Sequence, residues 1–181
     1  MDFSLSEFLS GLYGEPYDWV KWVHRSLSDN HCPECLMLDG CFFKGNNHPP
    51  HPHHPYCHCI LENITHSEVE AKAKVFADYR KFDPYLFNTQ GKETHGKEKM
   101  FHSWGYDVTD SNYLKSEIEK QGLKKYIAGD YKLGFLNKYG QRISIRIEIP
   151  NRNSNDNVSF DAGFMVYPNG EIRLNTPYGG K

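Results

Sequence analysis

Residues 141–149 alternate without a break. Ile143, Ile145, Ile147 and Ile149 fall on one side, and Arg142, Ser144, Arg146 and Glu148 on the other. A period of two is the mark of a strand with one buried face. Two further apolar runs, Val158 to Tyr167 and Ile172 to Thr176, are joined through Pro168-Asn169-Gly170. Asn-Gly between apolar runs is a hairpin signal. A fourth strand is expected near Tyr126 to Phe135. Before these strands the pattern is helical. Thr94 is a reasonable N-cap for a helix reaching Trp104, with Met100, Phe101 and Trp104 on its apolar side and Gly105 as its stop. A second helix starts at Asp110 or Ser111, points Leu114 and Ile118 inward and ends at Gly122. The order predicts an α+β fold, with two helices packed on an antiparallel sheet of about four strands.

The first half reads differently. Phe3 to Tyr13 and Tyr17 to Ser26 read as two short amphipathic helices separated by Gly14-Glu15-Pro16, and Trp19, Val20, Trp22 and Val23 form a broad apolar face destined for a core. Residues 27–62 are rich in cysteine, histidine and proline and lack periodicity beyond a short hairpin. Glu68 to Tyr79, with its Ala, Lys and Glu, reads as a linking helix. The expected organisation is a small Cys/His-rich unit over 1–66, a linker over 67–80 and an α+β domain over 81–181.

Charge sharpens this division. Residues 1–79 carry 5 Lys and Arg against 11 Asp and Glu, whereas residues 80–181 carry 16 against 12. The second part is the better suited to a polyanion. No run of about 18 apolar residues is present, and the N-terminus has no basic segment before an apolar one. A cytoplasmic or virion-associated protein with no membrane contact is expected.

Five cysteines are an odd number for a disulfide framework. Cys32-Pro-Glu-Cys35 is followed by His54-Pro-Tyr-Cys57-His-Cys59. Thiolate and imidazole donors at this spacing suit a structural, tetrahedral zinc ion, Zn2+, held by four of Cys32, Cys35, His54, Cys57 and Cys59. Buried reduced thiols, or disulfides after export, are the plainer alternatives. Cys41 is left over as a small buried hydrophobe. His48, His51, His53, His54 and His58 are too many for one four-coordinate ion, so most belong to a solvated loop. Chelation is expected to unfold residues 17–62 selectively.

The same stretch, Cys32-Pro-Glu-Cys35-Leu-Met-Leu-Asp39-Gly40-Cys41-Phe42, then Pro50 and His54-Pro55-Tyr56-Cys57-His58-Cys59, resembles the C-terminal signature of phage head morphogenesis proteins of the Mu gene F type. His58 stands where that pattern has arginine, and the long helical body that precedes the signature in those proteins is missing. The resemblance covers about residues 17–62 and implies capsid or portal proteins as partners. A second resemblance covers about residues 81–181. Tyr85-Leu-Phe-Asn88, His95-Gly-Lys97-Glu-Lys99-Met-Phe101, Trp104-Gly-Tyr106, Tyr139-Gly-Gln-Arg142 and Arg173-Leu-Asn-Thr176-Pro177 are similar to a domain found at the C-termini of phage-like and secreted polymorphic toxins. Its helix-then-sheet order resembles the barnase, EndoU, colicin and RelE group of small ribonucleases. That resemblance implies RNA as substrate and an immunity protein as partner.

Metal-independent RNA cleavage needs a base for the 2′-hydroxyl, an acid for the leaving 5′-oxygen, and cations around the phosphorane. His95 is suited to acid or base work by its near-neutral pKa. Lys97, Lys99 and Arg142 are suited to phosphate, with Thr176 and Tyr178 as hydrogen-bond donors. Singly, each also fits a solvated surface. Two readings compete with an RNA-cleaving toxin: a non-catalytic head or interaction module with a zinc knuckle, and a nucleic-acid binder without turnover.

Overall fold

The computed structural model describes residues 17–25, 32–87 and 96–177. Among them lie four helices and two sheets, a mixed α+β arrangement with a Cys/His-rich N-terminal region. The expected helix over residues 3–13 falls outside the described residues.

The first sheet has the order β2-β1-β3, built from β1 (Trp19–Val23), β2 (Phe42–Lys44) and β3 (Ile60–Ile64), all antiparallel. The helix expected over 17–26 is therefore a strand. Trp19, Val20 and Trp22 are all buried, so both faces of β1 are covered and the alternation that would reveal a strand is absent. Apolar residues at 19, 20, 22 and 23 imitate a helical stripe. Helix α1 (Pro33–Leu38) opens with Pro33 in its first turn, where a missing N–H costs nothing, and buries Cys35 and Leu38. Residues 27–62 thus hold more regular structure than their composition suggests.

Helix α2 (His66–Lys72) is capped by the Thr65 side chain, which accepts from Glu68 N. The linking helix expected to reach Tyr79 stops at Lys72. Residues Lys74–Phe76 form β4, which runs parallel to the last strand and extends the sheet. The second sheet has the order β4-β8-β7-β6-β5, with β5 (Lys132–Asn137), β6 (Gly140–Pro150), β7 (Asn157–Val166) and β8 (Glu171–Thr176) antiparallel. Five strands replace the expected four. Ile143, Ile145, Ile147 and Ile149 are buried, as the alternation requires. The β7–β8 turn uses Asn169 at φ 60° and Gly170 at φ 75°, the left-handed pair that a tight hairpin needs.

Helix α3 (Lys97–Ser103) buries Phe101, with Trp104 closing its end; the expected cap Thr94 lies outside the described residues. Helix α4 (Ser111–Ala128) is longer than expected and stops at Gly129, in the left-handed region. Gly122 lies inside it. A Cβ there would stand 3.2 Å from Phe164 Cζ and 3.5 Å from Val75 Cγ1, so this glycine lets the helix settle onto the sheet. Tyr126, expected near a strand, belongs to this helix. Gln121 covers the upper edge of β6, with Nε2 donating to Glu148 O at 2.7 Å and Oε1 accepting from Glu148 N at 3.0 Å.

The two sheets share one hydrophobic core. Trp19 meets Tyr126 edge-on at 5.4 Å, and the Tyr126 hydroxyl donates to Phe42 O at 2.8 Å. Tyr131 donates to Asn47 O and accepts from Lys44 N. Asn169 N donates to Gly40 O, and Cys41 bridges to Pro168. The knuckle is therefore seated on the sheet domain.

Candidate functional site

The five sulfur and imidazole groups read as metal ligands lie close together and are able to hold a metal ion. Helix α1 presents Cys32 at its start and Cys35 one turn on, while the segment entering β3 returns Cys57 and Cys59. Cys32, Cys35 and His54 form one cluster, Cys35, Cys57 and Cys59 another, and within each the donor atoms lie within 4.8 Å of one another. Cys35 is common to both. Its Sγ is 3.8 Å from Cys57 Sγ and 3.3 Å from His54 Nε2. Two sulfurs on a tetrahedral zinc at about 2.3 Å stand roughly 3.8 Å apart, so the spacing fits. The close Cys57-x-Cys59 spacing allows both sulfurs to face Cys35.

Protonation favours the same use. His54 Nδ1 lies 2.7 Å from Pro55 O, a pure acceptor, so the proton sits on Nδ1 and the Nε2 lone pair faces Cys35. Burial opposes ionisation of Cys57, but hydrogen bonds from the His53 and Cys59 backbone and its thiol neighbours bring it down to about 7. Burial first, then the neighbouring thiols, push Cys35 well up. Burial likewise raises Cys59, against the pull of the Trp22 side chain. A crowd of thiols that resist ionising together is what a divalent cation relieves. The buried Trp22 Nε1 makes no regular hydrogen bond among the described residues, and Cys59, on whose thiol the Trp22 side chain already pulls, would as a metal-bound thiolate supply the acceptor.

The remaining histidines do other work. His51 Nε2 lies 2.8 Å from Cys59 O while its ring abuts Trp22, so it braces the loop. His48 Nδ1 lies 2.6 Å from Pro49 O. Sequence spacing missed three neighbours. Glu34 and His53 cluster with Cys32, and His24 Nδ1 is 3.5 Å from Cys59 Sγ. Glu34 sits inside the Cys-x2-Cys turn and was legible in principle; His24 is remote in the chain and carried no signal. Cys41, the leftover thiol, is fully buried and pushed up to about 12 by burial.

The second group of candidates gathers near the end of β8, inside the other sheet. Lys97 Nζ, from the first turn of α3, donates to Thr176 Oγ1 at 3.1 Å and lies over the exposed ring of Tyr85 at 5.8 Å. Lys81 covers the same ring at 5.7 Å. Thr176 ends β8 opposite Gly163, after a register shift that sets it against that glycine. A Cβ on Gly163 would lie 3.0 Å from Thr176 Cγ2 and 3.6 Å from an Arg142 guanidinium nitrogen. The Arg142 side chain thus reaches across β7 toward Thr176.

Arg142 differs from the other arginines. Arg25, Arg80, Arg146, Arg152 and Arg173 each face a carboxylate, namely Glu62, Asp78, Asp161, Asp110 and Glu171. Among the described residues Arg142 has no such ion pair. Lys99 is exposed and is not brought to this group. His95 and Tyr178 lie outside the described residues. His102 contacts Glu98 and Tyr106 O, a packing and surface role.

Among the described residues no helix is long and apolar enough to cross a membrane. No curated protein and no solved structure matches the chain. One family model does match, over residues 67–181, from the start of α2 through β8. That is more than half of the chain, so the protein belongs to the family described as Domain of unknown function (DUF6883).

Proposed function

We propose that residues 67–181 form an RNA-cleaving domain that works without a catalytic metal, and that a zinc ion on four of Cys32, Cys35, His54, Cys57 and Cys59 secures the N-terminal region to it. The observation that carries the first part is the convergence of Lys97 and Arg142 on Thr176, two cations with no carboxylate partner among the described residues. Cations that point toward one hydroxyl without a carboxylate between them suit a phosphodiester, whose oxygens accept from both.

In this reading the 2′-hydroxyl of the substrate gives its proton to a base while its oxygen attacks the adjacent phosphorus and forms a 2′,3′-cyclic phosphate. The P–O5′ bond breaks, and the departing oxygen takes a proton. Lys97 and Arg142 hold the non-bridging oxygens as charge accumulates, and the Thr176 hydroxyl orients them. His95, which directly precedes the Gly96 cap of α3, is the group assigned to proton transfer. The resemblance to toxin-associated ribonucleases supports the substrate, and the phage-type signature supports delivery with a particle, with capsid or portal contacts and an immunity protein as partners.

The test is incubation of the purified chain with total RNA and with tRNA, without added divalent metal. Discrete fragments carrying 2′,3′-cyclic phosphate ends are expected, and Lys97→Ala should abolish them. Intact RNA in every pool would sink the enzymatic reading. Retention of RNA with steep salt dependence but no turnover would leave a binding module in its place.

A further inference from the structure

The β5–β6 pairing breaks its register between Leu133 and Leu136, so that Gly134 and Phe135 together stand opposite Arg142. This is a β-bulge. Such insertions bend a strand and re-aim side chains, and they are frequent beside functional sites. Here the bulge is held from within: Gln141 Nε2 donates to Gly134 O at 2.9 Å and to Arg142 O at 2.6 Å. Gly134 is needed because a Cβ there would press to 3.2 Å on Arg142 Cβ and on Arg142 O. Its neighbour Phe135 is 80% exposed, among the most exposed large apolar side chains described.

We infer that Phe135 is a stacking platform for a base of single-stranded RNA whose phosphate lies on Arg142. The inference rests on the RNA reading above and adds the strandedness of the substrate and a residue that selects it. Three features favour this occupant over a protein strand or a duplex. The bulge interrupts the free edge of β5 at Gly134 and Phe135, which spoils strand addition by another chain. Arg142, directly opposite the bulge, makes no ion pair among the described residues, so paired positions of adjacent strands carry an aromatic ring and a cation, which suits a base next to its phosphate. Bases inside a duplex have no free face to offer, whereas unpaired bases stack on aromatic side chains. From Thr176 to β5 is three strand spacings, about 14 Å. The stacked base is therefore a neighbour of the attacked nucleotide and acts on binding and position.

The experiment uses the full chain and a fluorescently labelled oligoribonucleotide, alone and annealed to its complement. Phe135→Ala should weaken single-strand binding and raise KM roughly 5- to 150-fold, the equivalent of the ~1–3 kcal/mol that base–aromatic stacking contributes, with kcat following far less. Phe135→Trp should keep the affinity and show indole quenching when the single strand is added. Because residue 135 is exposed, both variants are expected to fold, and circular dichroism checks this. Unchanged single-strand affinity in Phe135→Ala, or equal wild-type affinity for the annealed duplex, would overturn the platform while leaving RNA cleavage standing. A wild-type chain that neither binds nor cleaves RNA would overturn both.

Discussion

Thr176 is the residue on which the proposed chemistry turns, because it is where a lysine from a helix and an arginine from a strand two places away come together. Thr176→Val keeps the β-branched shape and removes only the hydroxyl. If the hydroxyl orients phosphate, kcat for RNA cleavage should fall roughly 10²- to 10³-fold, as when one transition-state donor is removed, while the melting temperature stays close to wild type. Another residue-scale consequence concerns protonation. Burial pushes Tyr106 up to about 12 and Cys41 up to about 12, and raises Tyr126 and Tyr131 as well. These groups bind their protons more tightly in the folded chain than in the unfolded one. The stability they contribute is complete below the unfolded values, near 9 for the thiol and 10 for the phenols, and is lost as pH rises toward 12. Thermal melts should therefore fall steeply above about pH 9 to 10, and tyrosinate absorbance should appear together with unfolding.

At the scale of elements, legibility followed how many faces each element buries. β6 was plain in the chain because one face is wet and the other dry. β1 was not, since Trp19 and Trp22 are buried on opposite faces and leave no alternation to read. β4 is three residues long and follows a helix-forming run, so only its long-range pairing with β8 reveals it. Gly122 looked like a stop because a sequence carries no record of what approaches a glycine. Gly122→Val places two methyl groups where Phe164 and Val75 already sit. It should destabilise the chain by about 1–3 kcal/mol in urea unfolding. The five donors that could hold a metal ion were read from spacing, as donors must sit at short intervals to share an ion. Of the group around Thr176, the sequence and its family-like motifs supplied Lys97, Arg142 and Thr176, yet not that Lys97 bonds Thr176 while Arg142 points toward it, nor that Lys99 stands apart.

For the whole molecule, the shared core changes what metal removal should do. An autonomous knuckle would melt by itself, but Trp19 packs on Tyr126 and Phe42 O takes the Tyr126 hydroxyl. Loosening the knuckle uncovers the helix that the sheet is built on. Treatment with a chelator should lower the melting temperature of the entire chain in one transition, followed by tyrosine fluorescence and far-UV circular dichroism together. Two separated transitions would show that the units are energetically independent. Readdition of zinc should restore the melt at a stoichiometry that also reports how many ions the five donors hold.

The order of strands carries one more consequence. β8 is the last described strand in the chain, yet it lies inside the sheet, between β4 and β7. During synthesis, β4 therefore has no neighbour to pair with until β8 has left the ribosome. Non-local pairing of this kind closes late. Because Thr176 arrives with β8, an incomplete nascent chain lacks both the strand that closes the sheet and the hydroxyl at the proposed site. The activity proposed above would then stay silent until β8 has been made.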